Sequence, residues 1–468
     1  MLKKHRETGR DSEQGKPAGR FWVGPGWTWI FCVTLPTLFP IAFLAQTTAP
    51  TASGPAQVTV YGAGNQTPLR FQGESAPSNQ IFLSVGASAF YDDDVFATNS
   101  RRSGDEAFSI DSHVGITRQT ERLTASFNYS PFFLFYRQMD QYDRLNHSAS
   151  LDLTYRLTSR FSLGLYDIVS YQNGVYPSLA GQQIMSGLAS PTAPNQMIVP
   201  YTVRALSDVA GLGLTFVKSQ RTSLTFSGNY IQAKYGNQTP GQPLYNANGA
   251  SGGMALQYRL TEHTSFGIML LHQDTTYQGG RLFGYRVRTQ IESTFFSVGS
   301  SLSPTVTVTA FVGPQYIRTI GQESAGVGLI GHIQASGGGS ITKEVRKTAL
   351  DLTVQRSISD GGGLYASVIY NTATFGVRRR LVGHWETGLH GGVAQADPSL
   401  FQNAHGKTDA VTASIGIERP FSHGTVFRIS YVTWHQLSNG NLPNAANYDR
   451  DQVTVGIDYQ LKAIPFGR

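Results

Sequence analysis

The chain has 468 residues, of which 14% are charged, 11% aromatic and 40% hydrophobic, with 51 glycines and a formal net charge of +7. Soluble chains carry about a quarter charged residues, so this composition argues against an ordinary soluble domain and for strands that face lipid on one side and water on the other. The basic balance is poor support for a nucleic-acid partner, because it falls to +4 once residues 1–45, with six Lys/Arg and three Asp/Glu, are set aside.

The one long apolar run covers residues 27–44 and follows Lys3, Lys4, Arg6, Arg10, Lys16 and Arg20. It closes on Ala42-Phe43-Leu44-Ala45, close to the small-residue pattern of a cleavage site. Pro36 and Pro40 interrupt it, which disfavours a spanning helix. The expectation is a signal peptide over 1–45, with an uncleaved anchor helix as the alternative. Cys32, the single cysteine, lies inside this run without the small residues that a lipoprotein site places before its cysteine. The chain beyond the signal therefore has no disulfide and no thiolate metal site. Residues 46–80 are rich in Thr, Ala, Pro, Gly, Ser and Gln and read as a flexible periplasmic linker.

From residue 81 the pattern changes to strict alternation. Leu151, Leu153, Tyr155 and Leu157 oppose Asp152, Thr154 and Arg156; Leu350, Leu352 and Val354 oppose Asp351, Thr353 and Gln355. Val411, Ala413, Ile415 and Ile417 oppose Thr412, Ser414, Gly416 and Glu418; Val453, Val455, Ile457 and Tyr459 oppose Thr454, Gly456 and Asp458. A period of two gives each strand one apolar and one polar face. The strands predicted are 81–90, 107–117, 122–137, 142–156, 161–173, 206–217, 222–234, 249–259, 264–275, 287–299, 305–318, 334–344, 348–358, 364–378, 383–394, 408–418, 424–437 and 449–460. Short polar connections alternate with long irregular ones such as 92–106, 174–204, 235–248 and 396–407. A sandwich has no reason to place its long loops at alternate connections, whereas an outer-membrane barrel does. The predicted fold is all-β, a transmembrane antiparallel up-and-down barrel of about 18 strands over residues 81–461, with 16 strands as the alternative and 462–468 as a C-terminal tail. Tyr459 or Phe466 is the candidate aromatic signal for the barrel assembly machinery.

Several short motifs resemble the β-barrel porin-2 family. They are the Ser88–Phe90 lead-in, Tyr91-Asp92-Asp93-Asp94-Val95-Phe96, the turn at Thr120-Glu121-Arg122, Tyr155-Arg156-Leu157-Thr158-Ser159-Arg160-Phe161-Ser162-Leu163, and Arg346-Lys347-Thr348-Ala349-Leu350. Asp94 stands where the family usually has Asn. The resemblance covers roughly residues 80–460 and implies an outer-membrane barrel, some members resembling components of exopolysaccharide export systems.

Chemistry is sparse. Asp92-Asp93-Asp94 lacks the ligand spacing of a calcium loop and reads best as a solvated loop or strand end. His435 and Ser438 form the candidate pair of a lipid-modifying hydrolase, but a separation of three puts them on opposite faces of a strand. No GxxxxGK[ST], HExxH, GxSxG or paired CxxC motif follows the signal, so no enzyme activity, metal or cofactor is expected. Alternation points Asp152, Arg156, Asp351, Glu418 and Asp458 into the lumen, where charges set ion preference. Tyr129, Tyr136, Tyr155, Phe161, Tyr258, Phe266 and Tyr459 are candidates for interfacial girdles. The expected function is an aqueous channel of the bacterial outer membrane for passive solute diffusion or polysaccharide export; the alternatives are the His435/Ser438 hydrolase and a structural or adhesive barrel. Expected partners are outer-membrane lipids and lipopolysaccharide, the barrel assembly machinery and polysaccharide export components.

Overall fold

The computed structural model describes residues 79–95, 102–140, 143–174, 203–236, 245–279, 286–321, 330–359, 368–398, 406–421, 424–440 and 447–466. The segment predicted as signal peptide, Cys32, nearly all of the predicted linker and most of the 174–204 segment lie outside the described residues.

Eighteen long strands run in chain order: β1 Gln80–Asp92, β2 Asp105–Gln119, β3 Leu123–Tyr136, β4 Arg144–Arg156, β5 Phe161–Gly174, β6 Val203–Val217, β7 Thr222–Gly236, β8 Tyr245–Arg259 and β9 Thr264–Gly279. The second half comprises β10 Arg286–Ser303, β11 Val306–Gly321, β12 Ile330–Val345, β13 Thr348–Ser359, β14 Val368–Arg380, β15 Glu386–Asp397, β16 Gly406–Pro420, β17 Thr425–Gly440 and β18 Tyr448–Gln460. A two-residue strand, β19 (Ile464–Pro465), follows. Each long strand pairs with its sequence neighbours, and β1 pairs with β18, so the sheet closes into an 18-stranded up-and-down barrel. Closure runs antiparallel from Ser84↔Gln460 to Asp92↔Gln452. Beyond Gln460 the chain continues along β1: the Leu461 N–H donates to the Leu83 carbonyl (2.9 Å) and the Phe466 N–H to the Asn79 carbonyl (2.9 Å). Closure matters because an open sheet edge inside a bilayer leaves backbone groups without partners.

The alternation of connections is physical. Those after even-numbered strands up to β16 span two to five residues, and those after odd-numbered strands up to β17 span six or more. Four of the short turns share one device. The side-chain oxygens of Thr120, Thr158, Ser219 and Thr261 each accept a backbone N–H three residues on, at 3.0–3.2 Å. Such a local bond supplies the turn with a partner that the ladder no longer provides.

The strands run further toward the long loops than the alternation predicted. β9, predicted to end at 275, runs on to Gly279 and pairs there with Tyr245. The apolar pattern stops where lipid stops, but backbone pairing does not, so polar strand ends look like loop in sequence.

Two prolines sit inside strands, and pairing lapses beside each. The β2–β3 ladder skips from Asp111↔Phe132 to Val114↔Tyr129 around Pro131, and the β10–β11 ladder skips from Ser293↔Gln315 to Phe296↔Val312 around Pro314. Proline has no N–H to donate. Next to Pro314 the two backbones close in, and a Cβ on Gly313 would overlap the Thr294 carbonyl. Gly313→Val is therefore expected to abolish folding; the check is loss of the heat-modifiable band on cold electrophoresis.

The lumen as candidate functional site

Direct cross-strand partners share a face, which assigns every side chain to one of two surfaces. One face carries the large exposed apolar residues: Leu151 and Tyr155 on β4, Leu352 and Val354 on β13, Ile415 and Ile417 on β16, Val455 and Ile457 on β18. The other is more buried, as expected of the concave side, where side chains crowd one another. Four successive outward positions on β18, from Val453 to Tyr459, are apolar before Asp451 and Asp449 appear. With exposed Leu461 continuing the same face, the band spans eight steps and, at about 3.3 Å per residue and a ~40° tilt, is about 20 Å tall, approaching the apolar belt of a membrane barrel. The outward face is bounded near the short turns by aromatics, among them Tyr155, Phe161, Tyr258, Phe266 and Tyr459, all exposed. Phe161 stacks on Phe216 at 4.8 Å. Tyr136 breaks from that set: it is buried on the inner face, packed with Phe90 and Leu134. Tyr129 is outward but lies higher, bonding His147 Nδ1 at 2.8 Å.

An antiparallel barrel closed by its first and last strands, apolar outside and polar inside, defines a membrane-spanning β-barrel.

Asp152, Arg156, Asp351, Glu418 and Asp458 all lie on the face opposite the exposed apolar residues. Two of them, Glu418 and Asp458, join one network near the short-turn end. Glu418 lies 3.8 Å from Arg378, which also binds Glu386 at 2.6 Å. Asp458 pairs with Arg428. Gly86 on β1 leaves room for this group, since a Cβ there would strike both Asp458 and Asp111. Asp351 and His390 flank Gly376 from the two neighbouring strands, and each would strike a Cβ placed there. Parity places Arg378, Glu386, Arg428, Asp111 and His390 inward too, but nothing local in the residues marks them as partners. The glycines opposite long polar side chains are the signal that was available.

The lumen has two unlike walls. From β13 through β18 and on to β4 the inner face carries the ionic network, together with Arg450–Asp92 and Asp152. From β5 to β11 the described inner face carries one charged residue, Arg259, at the very end of β8. Its place is taken by hydroxyls and amides. The Tyr166 hydroxyl donates to Asn229 Oδ1 (2.8 Å), and Asn229 Nδ2 donates to Ser251 Oγ (3.3 Å). Gln315 Nε2 donates to Ser293 Oγ at 2.9 Å. Gly211 sits beneath the Tyr166–Asn229 bond, which a Cβ there would obstruct. At the long-loop end the inner face turns apolar and buried: Phe90, Phe132 and Leu134 cluster there, as do Ile291, Ile317 and Ile369.

His435 points outward and pairs with Asp449, while Ser438 Oγ meets Thr408 Oγ1 at 3.1 Å on the inner side. No nucleophile–base contact forms between them, so the hydrolase arrangement fails on geometry. The acidic run is spent on the protein itself: Asp92 binds Arg450 and Asp93 binds Arg102. Among the described residues no group of three or more His, Cys, Asp or Glu is placed to hold a metal.

No family model matches the chain, and no curated protein matches it. Solved structures of similar shape include Acinetobacter baumannii OccAB4 (10% identity, TM-score 0.41, covering 83% of this chain and 99% of that one). Pseudomonas aeruginosa OpdQ is similar at 10% identity and TM-score 0.42, over 82% of this chain and 97% of that one. The ferric citrate transporter FecA, unliganded, is similar at 10% identity and TM-score 0.44, over 83% of this chain and 79% of that one. Such values are too low to transfer a function.

Proposed function

We propose that the protein is a bacterial outer-membrane channel through which polar solutes pass passively. The observation that carries this is the closed 18-stranded barrel with a hydrogen-bonding inner face. A barrel of that strand number is wide enough to hold water along its axis, and an apolar outer band of bilayer height has no use in solution. Purified protein added to a planar bilayer is expected to give discrete conductance steps. A barrel that inserts, as judged by protease protection and heat-modifiability, yet passes no current would instead be a structural or adhesive one.

Export of a polysaccharide through the same lumen is the second reading. The uncharged wall favours it, because Ser, Thr, Asn and Tyr side chains bond sugar hydroxyls without demanding charge. It also agrees with the porin-2 resemblance. Liposome swelling separates the two: a diffusion channel admits small sugars, sugar acids and amino acids at rates ordered by size, whereas an export conduit admits neutral oligosaccharides preferentially.

A further inference from the structure

We propose that the short-turn rim of the barrel is a binding surface for anionic phospholipid headgroups, an inference that rests on the chain crossing a membrane. The short turns carry an unusual run of basic residues. Arg122, Arg160, Arg221, Arg259, Arg346 and Lys347 are all exposed there. None of them makes an ion pair among the described residues. Only Glu121, Glu262 and Glu344 stand against them in the same turns. The opposite rim is arranged differently. On its outer side, Arg288 pairs with Asp274, Arg137 with Glu106, Arg102 with Asp93 and Lys407 with Asp397. Lys234, Arg286 and Arg318 are also exposed at that rim without an ion pair among the described residues, so the unanswered positive charge is denser at the short turns rather than exclusive to them.

A second observation says what answers it. The same rim also exposes large apolar side chains, mostly in its other turns: Val382 at 89%, Leu302 at 69%, and Leu260 and Phe421 near half. A rim facing bulk water, or a soluble acidic protein, gains nothing from an isolated exposed Val382. A rim sunk into the headgroup layer buries such side chains among acyl chains, while the long basic side chains reach the phosphates. The rim also continues directly into the aromatic girdle of Tyr155, Phe161, Tyr258 and Phe266, which already marks a bilayer boundary. Arg419 ties the two layers together, with its guanidinium 5.3 Å from the Trp385 ring centre and 5.1 Å from that of Phe421. A headgroup whose phosphate charge is not cancelled by its own cation, rather than a zwitterionic one, is the chemistry that satisfies unpaired guanidinium groups.

The test uses the full folded chain in detergent micelles, with native mass spectrometry after addition of phosphatidylglycerol or phosphatidylcholine. The expected result is that phosphatidylglycerol stays bound and phosphatidylcholine does not. The combined variant Arg122→Gln, Arg160→Gln, Arg221→Gln, Arg346→Gln should weaken phosphatidylglycerol retention by about tenfold or more, given the attraction of each surface Lys or Arg to an anionic leaflet. The control variant Arg137→Gln, Arg288→Gln, altered at the other rim, should retain it as the parent does. Equal retention of the two lipids, or full retention by the fourfold variant, overturns the proposal. Conductance of the fourfold variant reports separately on the channel, so loss of the lipid preference with intact conductance leaves the function above standing.

Discussion

An Arg450→Ala chain is expected to unfold in urea at much lower concentration than the parent, with the barrel's first-to-last seam giving way. Arg450 and Asp92 are 2% and 0% exposed. Arg450 Nε donates to Asp92 Oδ1 at 2.7 Å, and a second donor reaches Oδ2. The guanidinium also lies 5.8 Å from the centre of the Trp434 ring. Removing one partner leaves a carboxylate buried without its counter-charge, which costs about 3–5 kcal/mol. The energy falls where it does most harm, because these side chains join β18 to β1 at the long-loop end of the closing ladder. Replacing both partners, as Asp92→Asn with Arg450→Met, should recover most of the loss, since no naked charge remains. Midpoints of urea unfolding in micelles, followed by tryptophan fluorescence, give the comparison. Equal midpoints for Arg450→Ala and the parent would mean that the seam is held elsewhere.

The second large effect is electrical. Arg428→Gln is expected to turn the channel toward cations. Arg428 pairs with Asp458 and lies in the inner network that also holds Glu418 and Asp111. With the guanidinium gone, four carboxyl groups, those of Asp111, Glu386, Glu418 and Asp458, share one stretch of wall with only Arg378 and Arg380 to balance them. A fixed negative cluster in a low-dielectric wall raises local cation concentration. In a tenfold potassium chloride gradient the reversal potential should move by tens of millivolts toward the potassium value. Asn229→Gln, on the uncharged wall, should leave it unmoved. An unshifted potential in Arg428→Gln would place the selectivity-determining stretch away from this network.

The strands were legible in the residues because lipid and water impose opposite demands on successive side chains. Val453, Val455, Ile457 and Tyr459 state that demand without help from the rest of the fold. Strand ends were less legible. Thr276 and Gln278 are polar on the outward face, so the pattern ends at 275 while β9 goes on to Gly279. The five inward charges were nameable from parity alone, but their company was not. Arg378, Glu386 and Arg428 come from three strands whose register relative to one another is fixed only by the closed sheet. Tyr136 went astray for the same reason: an aromatic near a strand end faces lipid or lumen according to parity, and parity weighs little in a chain segment where Phe132, Phe133, Leu134 and Phe135 are apolar on both sides.

What the amino-acid order determined by itself was therefore local. Period-two patterning, turn residues and the short–long rhythm of connections specify strands, their faces and an up-and-down path, since each depends on neighbours a few residues apart. The tertiary structure decided everything that needs distant parts of the chain in one place. The Asp92–Arg450 contact spans 358 residues, and no local pattern announces it. Closure alone turns two polar faces into one lumen, sorts its charges onto one wall and its hydroxyls onto the other, and gathers separate basic turns into a single rim.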